Sequence, residues 1–272
     1  MLKLAAAVLF CLLAEGFAIG QTQASPSFDV TVIKPAKPDE NGKGWDSDEN
    51  LTSISNYTLD DLILHAYNLK SLTQLLDAPE WANKEHYDVT AKISPEEYRR
   101  LDALPRDENR AEWSSLLRSM LAERFGLIVE ESTRRMPRFA LECVSAATLG
   151  PALKVTPAGP KGDPVGGSNS SRNGGHTKVD FSVSGLTMDD IADRISGSNE
   201  TGRRVVVNRT GLPGYYNFKM EYAPDNGMGV SADATLPGLI DALRQELGLK
   251  LVKDEGEVPV VIVKAAKKPE LD

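Results

Sequence analysis

The sequence has few cysteines, and this shortage limits how the protein can be stabilised. Of its 272 residues only two are cysteine, Cys11 and Cys143. Cys11 lies inside an apolar N-terminal run, so a chain that loses this run has a single thiol and cannot form an intramolecular disulfide. Cys143 lies in an apolar segment beside Glu142. This setting favours a buried small hydrophobic residue over a reactive thiol, which would need a cationic neighbour.

Basic residues are outnumbered by acidic ones. The chain has 31 Lys and Arg against 39 Asp and Glu, a net charge of −8. Proteins that bind the phosphate backbone need a basic face, so we predict no nucleic-acid partner. The 41% of hydrophobic residues and 26% of charged ones are typical of a folded globular protein and exclude a wholly disordered chain.

Motifs that carry known chemistry are also missing. The chain has no G-x-S-x-G, H-E-x-x-H, G-x-G-x-x-G or S-x-x-K sequence and no EF-hand loop. Its three histidines, His65, His86 and His176, lack the spacing of metal ligands. We therefore predict no catalytic residues, no metal site and no cofactor, although a hydrolase whose residues come together only in the fold stays open.

The N-terminus resembles a secretory signal peptide. Lys3 precedes an apolar run over residues 4–13, and the small residues Ala18 and Gly20 frame a cleavage site before Gln21. The run is too short to cross about 30 Å of hydrocarbon as a helix. We predict a signal peptide over residues 1–20, a secreted or periplasmic protein, and no transmembrane span after cleavage; an uncleaved anchor is the alternative.

The rest of the chain divides at residues 157–175, which are rich in Pro, Gly, Ser and Asn and predict a linker. The segments on either side repeat each other. Thr58-Leu-Asp-Asp matches Thr187-Met-Asp-Asp 129 residues later, and both Gly126 and Pro137 have counterparts 122 residues later, in Gly248 and Pro259. This predicts repeats over residues 28–156 and 176–266, followed by a tail over residues 267–272.

Each repeat predicts the order β-α-β-β-α-β-β. Its first helix begins at Thr58 or Thr187, its second ends at Gly126 or Gly248, and a hairpin closes it. The first repeat adds an opening strand over residues 28–33 and a helical insertion over residues 95–103. The predicted fold class is α+β, with two tandem repeats whose helices pack against small mixed sheets.

Two paired sets of carboxylates invite a catalytic interpretation. Asp60 and Asp61 follow Thr58 directly, as Asp189 and Asp190 follow Thr187. In the first turn of a helix, carboxylates satisfy backbone N–H groups and the positive end of the helix dipole. We therefore interpret both pairs as helix caps.

The candidate binding residues follow from the aromatic and arginine enrichment of protein interfaces. Trp45 and Trp113 are expected to be packing residues. We predict a contact surface at the edge of the cleft between the repeats, formed by Trp81, Tyr87, Arg203, Arg204, Tyr215 and Tyr216.

Several stretches resemble a large family of uncharacterised secreted proteins from soil Acidobacteria. The similarity extends over nearly the whole chain after the signal, and the family has no established activity. This sequence departs from the family at Asn208 and Lys264, where the family usually has an acid, and at Glu130 and Glu131, where a His is common. These differences argue against catalytic roles at those positions. The matching stretches are FDVTVIKP (28–35), PEWANKEHYDVTAK (79–92), MLAERFGLIVEESTRRMPRFALEC (120–143), RRVVVNRTGLPGYYNFKMEY (203–222) and LIDALRQELGLKLV (239–252).

Each half is also similar to the short N-terminal (STN) module of secretins and TonB-dependent receptors. That resemblance implies a periplasmic protein-interaction unit with two helices between two small sheets, and strand addition at exposed sheet edges. We therefore expect an interaction module of the cell envelope whose partner is another envelope protein. The alternatives are an extracytoplasmic hydrolase with its site between the repeats, and an envelope-anchored structural protein. The oligomeric state stays open.

Overall fold

A computed structural model describes residues 26–37, 42–145, 149–156, 165–173, 176–225 and 234–272. The helices of this part are α1 (Leu59–Ala66), α2 (Pro95–Asp102), α3 (Arg106–Phe125), α4 (Met188–Ile195) and α5 (Leu239–Ala242), which continues as a π-helical segment (Leu243–Leu247). The strands are β1 (Val30–Pro35), β2 (Gly44–Asp48), β3 (Leu51–Thr58), β4 (Leu75–Leu76), β5 (His86–Lys92), β6 (Ile128–Cys143), β7 (Lys154–Thr156), β8 (Val165–Asn173), β9 (His176–Leu186), β10 (Val206–Asn208), β11 (Tyr215–Tyr222) and β12 (Leu249–Ala265).

The strands form three sheets whose order repeats. The first outer sheet has the order β1-β5-β3-β2 and the second outer sheet the order β7-β11-β9-β8, so adding six to each number converts one into the other. The central sheet has the order β10-β6-β12-β4 and maps onto itself reversed under the same operation. The α+β class is confirmed, and the strand order agrees with the repetition that the sequence predicts.

The helix ends follow from local sequence. Thr58 and Thr187 each accept a hydrogen bond from the backbone of the third helical residue, while Asp61 and Asp190 reach back to the threonine N–H. At the other end, Gly126 and Gly248 adopt the left-handed conformation, with φ of 55° and 69°, which costs glycine no steric strain. These predicted caps are confirmed.

Each half has its own core, with helices held between an outer sheet and the central sheet. In the first core, side chains of α1 and α3 pack between the first outer sheet and residues such as Val261 and Val263 of β12. In the second, side chains of α4 and α5 pack between the second outer sheet and residues such as Phe139 and Leu141 of β6. Each core is thus covered in part by a strand from the opposite half.

The predicted closing hairpins are wrong. β6 and β12 each continue through Pro137 and Pro259 without turning, and they pair with each other antiparallel from Leu249 opposite Cys143 to Ala265 opposite Ile128. Proline is tolerated there because its missing N–H faces away from the partner strand. Phe139, two residues after Pro137, donates outward to Val205 O (2.9 Å), and Pro259 O accepts outward from Gln74.

Further elements differ from the sequence prediction. Part of the predicted linker, residues 165–173, is strand β8, which pairs with β9 along its length. Composition predicted a linker there because Gly, Ser and Asn disfavour strands in isolation. The strands β2, β4 and β7 were not predicted. Residues 1–20, which carry the predicted signal peptide, lie outside the described residues, and none of the described helices combines the length and apolarity that a bilayer span requires.

Candidate functional site

The two edges of the first outer sheet differ. At the β1 edge, other parts of the chain hydrogen-bond to the outward backbone groups, so this edge is closed. Ile33 donates its N–H to the Asp272 carboxylate (2.8 Å) and accepts from the Asp272 N–H (3.0 Å). Arg124 Nη1 donates to Thr31 O (2.7 Å), and Pro35 has no N–H to offer. A further strand therefore cannot add to β1 while the C-terminal segment is in place.

The β2 edge is open. The Ile93 N–H donates to Asn50 O (3.1 Å), so the even-numbered residues of β3 hydrogen-bond towards β5 and the odd-numbered ones towards β2. In the register of β2 and β3, this leaves the backbone groups of Trp45 and Ser47 facing outward. Among the described residues, none hydrogen-bonds to these groups.

A cavity of about 440 Å³ lies beside this free edge, on the inner face of the first outer sheet. Trp45 and Ser47 reach it because they are opposite Ile54 and Thr52, both of which point into the protein. Its apolar lining comes mainly from Trp45, Tyr98, Leu101 and Trp113, and its polar lining from Ser47, Glu49, Thr52, Asp102, Arg106, Asn109 and Arg110.

Contacts on several sides fix the aromatic walls of this cavity. The Trp45 ring lies 4.8 Å from the His65 ring and 5.9 Å from the Tyr57 ring. Loss of hydration lowers the pKa of His65, although Asp61 opposes the shift, so at neutral pH the imidazole against Trp45 is uncharged. Trp113 contacts Phe28 with ring centres 6.2 Å apart.

The second cavity, about 450 Å³, is the groove between the two halves. Lys70 Nζ lies 2.8 Å from the Asp193 carboxylate, and the Ser71 hydroxyl donates to Arg203 O across the groove. The backbones also approach closely, because a Cβ on Gly197, whose φ is +71°, would lie 2.8 Å from Lys70 O. These polar groups make contacts between the halves, in addition to the pairing of β6 with β12.

The titratable side chains among the described residues that line the groove are those of Tyr67, Lys70, Asp189 and Asp193. A general base or nucleophile is expected to be one of several convergent titratable groups with perturbed pKa values. Of the groove residues, Tyr67 has a raised pKa from burial, and its ring lies against the Arg118 guanidinium (4.4 Å). Over the described ranges, no group of three or more His, Cys, Asp or Glu side chains is placed to hold a metal ion.

Comparison with known proteins identifies a family. The family model for a protein of unknown function (DUF3738) matches residues 60–266. The chain belongs to this family. Searches of curated proteins and of solved structures find no match. Membership in DUF3738 assigns no reaction or partner.

In this DUF3738 protein the residues predicted for binding are not brought together. Tyr87 belongs to the first core and Tyr216 to the second, exposed by 4% and 2%, so their rings cannot contact a partner. Strand alternation turns both rings inward, so neither offers the exposed aromatic face that the prediction assumed. Arg204 is half-buried over the Phe139 ring (5.7 Å).

The other three residues are more accessible. Tyr215 and Arg203 are exposed and Trp81 is half-buried against the first core. Arg203 lies at the groove, where its carbonyl accepts the Ser71 hydroxyl. A binding role for these three stays a prediction.

The remaining candidate side chains make contacts within the fold. Asp61 and Asp190 form the helix caps described above. Cys143 is half-buried with its Sγ 3.6 Å from Thr210 O, and burial raises the pKa of its thiol, as expected for an unreactive cysteine.

Sequence reasoning missed the β2 edge and its cavity. Trp45 and Trp113 were expected only to pack, and Tyr98 lay in the charged helical insertion. The available signal was the polar pair Glu49 and Asn50 directly before β3, since a two-residue turn with Asn can join two strands of a hairpin.

Proposed function

We propose that this protein is an interaction module that captures an extended segment of a partner protein on the free edge of β2. The observation that carries the proposal is the open backbone of Trp45 and Ser47 beside a preformed cavity. In strand addition, main-chain hydrogen bonds supply affinity and pockets for alternate side chains supply specificity. Both components are available at β2.

The contrast with β1 supports this choice of edge. Natural proteins close exposed strand edges because open ones pair with other chains. Here Arg124 and Asp272 close β1, and Asp272 has a lowered pKa because of the Arg124 guanidinium, so the closure is a stable ion pair at neutral pH. β2 has no comparable closure within the described ranges.

The proposed setting is the cell envelope or the exterior, with an envelope protein as the partner. The N-terminal pattern over residues 1–20 supports export. The helices held between two sheets in each half are the arrangement that the STN resemblance implies. A hydrolase between the halves has less support, because the Lys70 and Asp193 side chains of the groove pair with each other across it.

A single proline substitution at the edge tests the proposal. Ser47→Pro removes an outward N–H and leaves the hydrogen bonds between β2 and β3 in place, since Ser47 does not face β3. Ser47→Ala is the matched control, because it removes the same hydroxyl and keeps the N–H. Both variants and the wild type are immobilised and exposed to envelope extract.

We expect a protein that the wild type and Ser47→Ala retain and Ser47→Pro loses. The captured protein, once purified, should also slow amide hydrogen exchange within residues 44–48. Equal retention by Ser47→Pro, unchanged exchange in β2, or no retained protein would each contradict strand addition at this edge.

A further inference from the structure

The cavity beside β2 has walls that suit an apolar side chain. Trp45, Tyr98 and Trp113 provide aromatic side chains, and the buried Leu101 adds an aliphatic one. Its volume of about 440 Å³ is ample for one large side chain.

The charged groups of the cavity do not select one sign of ligand. The lining includes two carboxylates, of Glu49 and Asp102, and two guanidiniums, of Arg106 and Arg110. Arg106 also lies 4.0 Å from Asp190. Because the charges balance in number, the aromatic walls are the main source of selectivity here.

The opposite face of the same edge is acidic. Asp46 and Asp48 are exposed and point away from the cavity, because they alternate with Trp45 and Ser47 along β2. Neither forms an ion pair with any residue that the structure describes. The cation in register with Asp48, Lys92, lies beyond Leu51 and therefore two strands away, about 10 Å at the usual strand spacing.

A strand that adds to β2 must match both faces at once. Its side chains alternate with a period of two, so those beside Trp45 and Ser47 enter the cavity and those beside Asp46 and Asp48 lie on the acidic face. Opposite charges on neighbouring strands are favourable and like charges are unfavourable. The two faces together therefore select one pattern.

We infer that the captured segment alternates basic and apolar side chains, with basic ones beside Asp46 and Asp48 and an apolar or aromatic one in the cavity. The inference rests on the proposed function, since it names the class of partner that strand addition at β2 would accept. Charge complementarity on one face and the aromatic cavity on the other both support it.

Synthetic peptides test the pattern directly. The probe is Thr-Lys-Phe-Lys-Leu-Lys-Thr with acetyl and amide ends and a fluorescent label, and its binding to the full chain is followed by anisotropy. One comparison peptide has Glu for each Lys, and another has Ala for Phe and Leu. The lysine peptide should bind tightest, and replacing its apolar residues should weaken binding about tenfold.

Protein variants locate the two contacts. The double variant Asp46→Asn, Asp48→Asn should weaken the lysine peptide about fivefold, as expected for two exposed ion pairs, and should reduce the salt dependence of binding. The matched control is Asp241→Asn, Glu246→Gln, which removes the same charge from exposed positions at α5 and its π-helical continuation. It should leave binding unchanged.

The outcomes separate this inference from the proposed function. Equal binding of the lysine and glutamate peptides, or an unaffected Asp46→Asn, Asp48→Asn variant, would overturn the basic pattern. Strand addition would still stand if Ser47→Pro abolished that binding and Ser47→Ala did not. Binding that survives Ser47→Pro, or no saturable binding of any peptide up to about 1 mM, would overturn both.

Discussion

Asp60 is a carboxylate in surroundings that disfavour its charge. It lies in the first turn of α1, is only 8% exposed, and its Oδ1 has no hydrogen-bond partner among the described residues. Burial, with a smaller effect of the neighbouring Asp61, raises the pKa of Asp60. A buried polar atom without a partner lowers stability, most of all when it is charged.

We expect Asp60→Asn to stabilise the protein by about 1 kcal/mol at pH 7. An acid whose pKa is higher in the folded state than in the unfolded state lowers stability as the pH rises through that range. The advantage of the variant should therefore be absent in acid and grow towards neutral pH. Urea denaturation at several pH values measures it. Asp189→Asn, at the equivalent but exposed position of α4, is the control and should have little effect.

At the scale of elements, the two capping boxes are nearly identical in geometry. In both, the threonine Oγ1 lies 2.7 Å from the aspartate Oδ2, and the aspartate backbone nitrogen lies 3.2 Å from the threonine Oγ1. Equal geometry in the two halves predicts equal contributions to stability.

Thr58→Ala and Thr187→Ala should each lower the free energy of unfolding by about 1 kcal/mol. The two losses should add, because the sites are separate. Thr58→Ser retains the hydroxyl and should lose much less. Thermal denaturation compares them, and a serine variant as unstable as the alanine variant would contradict the role of the cap.

Whether a feature depends on residues close together or far apart in the sequence decides whether it could be predicted. The helices beginning at Thr58 and Thr187 and ending at Gly126 and Gly248 were predictable, because residues a few positions apart determine those ends. The hairpins predicted at Pro137 and Pro259 are wrong. Proline also fits inside a paired strand at a position whose N–H side faces away from the partner strand.

The candidate site was less predictable than the fold. Trp45, Tyr98 and Trp113 are distant in sequence and come together only because β2 pairs with β3 while α2 and α3 pack beside that hairpin. Tyr87 and Tyr216 were chosen by residue type, whereas the direction of each ring depends on which face of its strand is buried. Composition does not contain that information.

At the scale of the whole molecule, the pairing of β6 with β12 makes each half depend on the other. Val261 and Val263 of β12 belong to the first core, and Phe139 and Leu141 of β6 belong to the second. A half on its own would expose apolar surface that the other half covers. Because net stability is a small difference between large terms, such a loss should be enough to prevent folding.

We therefore expect fragments 26–156 and 157–272 to be largely unfolded separately and to fold when mixed. Circular dichroism and size-exclusion chromatography of the separate and mixed fragments measure this. Each fragment alone at the same total concentration is the control. Cooperative unfolding of either fragment alone, at the temperature of the full chain, would contradict the interdependence of the halves.

The exchange of β6 and β12 between the two cores also bears on how such a chain could originate. Suppose that a single ancestral half was a separate polypeptide with the same strand pairing. Its long strand would have covered the core of a second copy, giving a two-fold dimer with exchanged strands. Joining the two copies end to end would give the strand order β10-β6-β12-β4 in the central sheet and equal orders in the two outer sheets. On that supposition, fusion would leave each copy free to change its surface independently, whereas two identical chains would have had to change together.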